Sequence, residues 1–263
     1  MSEAALAPRK VRLFLATERK DTWWVTPALT FAGLSAFIVY ATWAALQGNN
    51  YWYGPYLSPF YAPELFGMSP HAVFGPPPAW WPAMLPAFSP AMLILWAPGG
   101  FRFTCYYYRG AYYKAFWGDP PACAVGEPRK SYWGERSFPL IVQNIHRYFL
   151  YVALIFLVLL SIDVWHACWW SDGFHIGVGT LVLATNVVLL TSYTLGCHSM
   201  RHLIGGRKDV LSKGGIGKAC YESCSSLNRR HMIFAWCSLF SVGFSDVYVR
   251  LCSMGVISDI RIF

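Results

Sequence analysis

FHIGVGTLVLATNVVLLTSYTLGCHSMRH, residues 174–202, is the stretch that sets the fold. An apolar run of about twenty residues, enough for one bilayer crossing, leads straight into Cys197, His198, Arg201 and His202. On a helix His198 and His202 stand one turn apart on a shared face, and Cys197 and Arg201 form an adjacent pair. Ionisable groups at the rim of a membrane span are costly and mark functional sites. Imidazole and thiolate also hold iron, zinc or copper well. The stretch predicts a polytopic membrane fold with a redox or metal site at one end.

Composition points the same way. Of the 263 residues 56% are hydrophobic and 13% charged, against roughly 25% charged in soluble domains. Mean hydropathy is +0.35. Aromatic residues reach 18%, thirteen of them Trp, as interfacial belts require. Five spans are expected, at about Trp23–Leu46, Ala83–Trp117 with a break at Pro98-Gly99-Gly100, Pro139–Trp165, Phe174–Leu203 and Asn228–Val256. The fold class is an all-α, five-transmembrane-helix bundle. Residues 1–22 form a cytoplasmic segment, and 23–263 a membrane domain with an aromatic and Pro-rich outer loop at 47–82. That loop reads as a lid in the outer interface, beside membrane lipids.

Charge orients the bundle. Lys and Arg are absent from 47–82 and 166–175. They cluster in the N-terminal segment (Arg9, Lys10, Arg12, Arg19, Lys20), between Arg102 and Arg136 (Arg109, Lys114, Arg129, Lys130), and after the fourth span (Arg207, Lys208, Lys213, Lys218, Arg229, Arg230). The positive-inside rule puts the N-terminus in the cytoplasm and the C-terminus outside a multi-pass cell membrane protein. The net charge of +8 thus belongs to topology, and nucleic acid is not an expected partner. The basic N-terminal segment leads into a span too long for a signal-peptide core, so a retained first helix is expected. No internal repeat supports an inverted-repeat transporter.

Eight Cys suggest disulfides, yet Cys105, Cys123, Cys197, Cys220 and Cys224 fall on the reducing side; Cys168 and Cys252 could pair. The same side collects Cys105 at the end of span two, His146 two turns into span three, Cys197, His198 and His202 at the end of span four, and His231 one turn into span five. Four of seven His thus share one leaflet on three helices. The candidate metal ligands are Cys105, Cys123, His146, Cys197, His198, His202 and His231. Two cofactors fit: a b-type haem between axial His, or a Rieske-type [2Fe-2S] cluster with two Cys and two His. The interleaved thiols favour the cluster. A cofactor-free quinone pocket, or a transporter or scaffold, remains as the alternative. Tyr106, Arg109, Arg147 and Tyr148 are the candidate quinone contacts. Cys220 and Cys224 sit among Gly and Lys and read as a solvated loop, Cys237 and Cys252 as packing residues. His166, Cys168 and His175 read as interfacial packing, with a second site as the alternative.

Several segments together resemble a known family. They are Phe101-Arg102-Phe103-Thr104-Cys105-Tyr106-Tyr107-Tyr108-Arg109, Pro121-Ala122-Cys123-Ala124-Val125, Gln143-Asn144-Ile145-His146-Arg147-Tyr148, Cys197-His198 with Arg201-His202, and Asn228-Arg229-Arg230-His231. The combination resembles the single-chain membrane anchor of mycobacterial-type succinate dehydrogenase 1, a haem-less complex II. The resemblance implies a flavoprotein subunit that oxidises succinate, an iron–sulfur subunit docked on the cytoplasmic face, a Rieske-type [2Fe-2S] cluster within the bundle, and quinone as electron acceptor. It does not assign the ligands.

Overall fold

Long apolar runs without an internal break become long helices, and the interrupted run does not. In the computed structural model, which describes residues 13–78, 89–128, 137–138, 140–206, 210 and 215–263, the elements are α1 (Val25–Gln47), a β1–β2 hairpin (Trp52–Tyr53, Tyr56–Leu57), α2 (Trp96–Phe103), α3 (Tyr106–Tyr112), α4 (His146–His166), a β3–β4 hairpin (Trp169–Trp170, Gly173–Phe174), α5 (Val178–Leu195), α6 (His198–Gly205), α7 (Ile216–Arg229) and α8 (His231–Ser253). Among the described residues four helices are long and apolar enough to cross a membrane: Val25–Gln47, Ile141–His166, Val178–Leu195 and His231–Ser253. Ile155, Val158, Val188 and Phe244 remain exposed on these helices, as lipid-facing side chains do. The chain is a mostly helical, multi-pass membrane protein.

Three expected boundaries move. The described part of the expected second span is a series of short helices, with residues 83–88 outside the described residues. Its break falls at Cys105, which is extended (φ −65, ψ 133), not at Pro98-Gly99-Gly100. Those three residues lie inside α2, because Pro98 is in the first turn, where a missing N–H costs nothing. The expected fourth span ends early: α5 stops at Leu195, Cys197 is extended (φ −67, ψ 142), and α6 restarts at His198. The fifth begins at His231, after a separate helix, α7, where a loop was expected. His231 is therefore the first residue of α8, whereas His146 opens α4 after a 3-10 segment, Leu140–Ile145, and lies more than one turn inside the apolar span Ile141–His166. Arg9, Lys10, Arg12, Arg129, Lys130, Arg136, Arg207, Lys208 and Lys213, which carry much of the charge pattern, lie outside the described residues. All eight cysteines, Cys168 and Cys252 included, are free thiols.

The chain divides into two compact units, residues 1–36 with 105–143 and residues 37–104 with 144–263. In the first, the segment before α1 pairs with the loop around Cys123: Leu15 N–H donates to Gly126 O and Gly126 N–H to Ala16 O. Arg19 reaches the Cys123 carbonyl at 2.8 Å, and Gln143 Nε2 donates to Tyr112 OH at 2.9 Å.

In the second unit α5 and α8 run antiparallel. Tyr193 stacks on His231 at one end, and at the other the Asp259 carboxylate accepts from Gly179 N–H and from the Tyr248 and Tyr56 hydroxyls. α2 lies close on α4 because Gly100 has no Cβ; one there would stand 2.2 Å from the Phe149 ring. Residues 47–64 are packed, with Tyr51 stacked on Tyr61 at 4.1 Å and Tyr56, Phe60 and Tyr61 buried. A buried ion pair fastens them. Arg250 Nε donates to Asp246 Oδ2 at 2.7 Å, and its other nitrogens donate to the carbonyls of Asn49 and Ala44. Asp246 also accepts from Tyr40 and Ser58.

Candidate functional site

Two helix starts and one helix break place imidazole beside thiol. His146, 3% exposed, opens α4. Cys197, 2% exposed, sits in the extended link between α5 and α6. His146 Nε2 is 3.0 Å from Cys197 Sγ, and its Nδ1 is 2.8 Å from Thr104 Oγ1.

Thr104 decides which nitrogen carries the proton. Its hydroxyl donates to the Gly100 carbonyl at 2.8 Å, an oxygen that can only accept. Nδ1 of His146 must then donate to Oγ1, which leaves the Nε2 lone pair facing sulfur. This is the tautomer that a metal-binding histidine takes when its outer nitrogen is held by a hydrogen bond. Thr104→Val removes the hydroxyl acceptor from that buried N–H, leaving only the nearby Phe101 carbonyl to take it, and loosens the tautomer, whereas Thr104→Ser keeps it. Imidazole ¹⁵N shifts of the labelled protein check this; an unchanged His146 signal in Thr104→Val would mean that another group sets the proton.

An aromatic chain extends the site. The Phe101 ring stacks on His146 at 4.8 Å and meets Tyr193 edge-on at 5.5 Å, and Tyr193 stacks on His231 at 4.9 Å. His231 and His146 are near enough to interact electrostatically. The Arg102 guanidinium lies 4.7 Å over the Tyr193 ring and donates to Ser238 Oγ and the Ala235 carbonyl. Phe101, Arg102 and Tyr193 also wall one end of an apolar cavity of about 380 Å³. It extends past Ala153, Leu157 and Leu190 to Pro59 and Phe60.

The sequence profile of the actinobacterial succinate dehydrogenase subunit SdhC matches residues 25–255. The chain belongs to that family. The SdhC profile thus spans all four apolar helices and every residue of the His146–Cys197 site. Among solved structures, a chain of the Mycobacterium smegmatis Sdh1 complex in the apo form is 42% identical, with a TM-score of 0.87 over 98% of this chain and 97% of that one. No curated protein matches. The expected succinate dehydrogenase membrane anchor, a subunit of an oxidoreductase complex, is thereby shown, and other subunits of that complex are its partners.

The other sequence candidates in this SdhC chain lie as follows. His198 and His202 form their own exposed pair on α6, Nε2 to Nε2 2.9 Å apart. Burial, with His202 and Arg201 adding, holds His198 below the usual imidazole range. Arg147 and Tyr148 are exposed at the start of α4. In the first unit Cys105 is buried at the start of α3, Cys123 is exposed, and Arg109 lies 4.5 Å over the half-exposed Tyr106 ring. Sequence reasoning gave Thr104, Phe101, Arg102 and Tyr193 no role in the site, although the first three lie in a segment that carries the resemblance. The available signal was Arg102, a cation inside an apolar run. Among the described residues no three His, Cys, Asp or Glu side chains converge on one metal position.

Proposed function

We propose that this anchor carries electrons from a cytoplasmic iron–sulfur subunit, itself fed by a succinate-oxidising flavoprotein, to a quinone in the cavity beside Arg102. The contact that supports this most is His146 Nε2 to Cys197 Sγ, buried, fixed in tautomer, and sharing Phe101 with the cavity wall.

The donor chemistry fits a Rieske-type [2Fe-2S] cluster. His146 and Cys197 would hold it, with His231 as the candidate second imidazole. Such a cluster supplies one-electron transfer at a higher potential than all-Cys clusters. Thr104 holds the imidazole proton at Nδ1, away from sulfur. Phe101 and Tyr193 exclude water. Arg102 presents hydrogen-bond donors at the cavity end, where a quinone carbonyl accepts them, and apolar side chains cover the ring and tail. Arg147 and Tyr148, exposed at the start of α4, would serve the partner surface. The basic residues Arg201, Lys218, Arg229 and Arg230 suit docking of a soluble partner on the cytoplasmic side, with the N-terminus on that side too.

Low-temperature EPR of the dithionite-reduced, purified complex tests this. A low-average-g signal is expected, distinct from the partner's clusters and abolished by His146→Ala. A signal that survives both His146→Ala and Cys197→Ala removes these ligands, and b-type optical bands would replace the cluster with haem.

A further inference from the structure

The apolar cavity beside Arg102 is much longer than a quinone ring. One end is walled by Phe101, whose ring stacks on His146, and the cavity reaches Leu160, fourteen residues farther along α4. At 1.5 Å per residue that is about 20 Å, roughly two thirds of the apolar thickness of a bilayer. Among the described residues Arg102 is the one charged side chain of the lining, and it stands at the Phe101 end. A ring held there by hydrogen bonds leaves most of the length to apolar side chains.

The cavity is walled on every side but one. Its lining residues on α4, α5 and α8 are buried or half-buried, and the buried Pro59 and Phe60 close the far end. Four lining residues are exposed: Thr42 and Leu46 on α1, Met92 in the turn Pro90–Leu93, and Gly99 in α2. Thr42 and Leu46 stand one turn apart on a helix long and apolar enough to cross the membrane. The cavity therefore opens through a slit between α1 and residues 90–99, and it opens to lipid. At Gly99 the slit has room to spare, since a Cβ there would meet nothing within 4 Å.

We propose that this slit is the lateral entrance for the quinone, and that the isoprenoid tail of the bound quinone lies along the cavity and leaves through it. The proposal rests on the placement of the quinone ring beside Arg102. Lipid chains are as apolar as the side chains of the cavity, so the tail gains no hydrophobic energy by moving in. The slit instead gives the tail a continuous apolar path. Without an opening along the bundle, a tail longer than the cavity could not accompany its ring to Arg102. The site is thus built for a tailed quinone drawn ring first from the bilayer.

The test is kcat/KM of the whole complex in nanodiscs for two benzoquinones, the same ring with and without a tail of two isoprene units. Gly99→Leu fills part of the slit, in a helix that leucine favours over glycine. It should lower kcat/KM for the tailed quinone about tenfold more than for the bare ring, the usual order for overpacking an occupied site, with KM carrying the change. Thr42→Phe, on the opposite lip, should act in the same sense. Comparing the two quinones within each variant cancels their different partition into lipid. Slit variants that lower both quinones equally, or neither, overturn the proposal. Ala153→Phe separates that failure from a misplaced ring. If it stops reduction of both quinones while the slit variants do not discriminate, the ring stays beside Arg102 and the path of the tail is wrong. If it spares both, the ring lies elsewhere and the slit falls with it. A photoreactive group at the end of the tail gives an independent readout: labelling of residues 42–46 and 92–99 is expected, and labelling confined to lipid-facing positions such as Ile155 and Phe244 overturns the proposal.

Discussion

Purified complex carrying Asp246→Ala is expected to be about 3–5 kcal/mol less stable than wild type in detergent, the usual consequence of leaving one member of a buried ion pair alone. The Asp246 side chain is wholly buried and that of Arg250 is 5% exposed. Removing the carboxylate leaves the guanidinium with the carbonyls of Asn49 and Ala44 and the faces of Trp43 and Tyr61, but no counter-charge. It also takes the acceptor from the hydroxyls of Tyr40 and Ser58. Asp246→Asn keeps the shape without the charge and should fall between. Replacing both members, Asp246→Leu with Arg250→Met, should recover much of the loss, because desolvation of the pair offsets most of its attraction. Chemical unfolding followed by tryptophan fluorescence gives the comparison. A cost for Asp246→Ala no larger than that of an ordinary surface change, about 0.5 kcal/mol, would show that the pair does not hold this end of the unit.

Ala153→Phe is expected to stop quinone reduction while sparing succinate oxidation by soluble dyes. Ala153 is a buried residue of α4 and lines the cavity beside Arg102. The added ring enters empty space, so the usual overpacking cost of about 1–3 kcal/mol is largely avoided. A quinone ring displaced from its hydrogen-bond donors by an ångström or more loses about 10²-fold in rate. Dye reduction by the partner subunits does not use the cavity and should stay near wild type. Full quinone reductase activity in a folded Ala153→Phe complex would move the quinone out of this cavity.

The spans were legible in sequence because hydropathy over about twenty residues is a sum that few local details disturb. Val25–Gln47 and His231–Ser253 are recovered nearly as expected. The misplaced breaks were decided by one residue each. Pro98 is harmless in the first turn of α2, whereas Cys105 and Cys197, with nothing breaker-like in their side chains, take extended backbone. α7 escaped because an amphipathic helix of low hydropathy reads as a loop beside glycine and lysine. At the site, His146, Cys197 and His231 were visible as residue types that membrane spans rarely carry. Thr104 was not, since its role depends on two simultaneous contacts, to Gly100 and to His146, that lie 4 and 42 positions away. Phe101 and Tyr193 were hidden by the aromatic richness of the whole chain.

The clamp at Asp246, Arg250 and Asp259 has a consequence for biogenesis. Tyr40 is 206 positions from Asp246, and Tyr56 is 203 from Asp259. A ribosome synthesises the first long helix and the aromatic segment after it well before their partners exist. Those segments must therefore wait in the insertion machinery or the bilayer, with Tyr40 and Ser58 lacking their carboxylate until translation passes residue 246 and Tyr56 lacking its own until it passes residue 259. Pairings of such high sequence separation form late and slowly. Ribosome stalling just upstream of Asp246 should therefore leave a protease-sensitive intermediate, inserted but not yet locked.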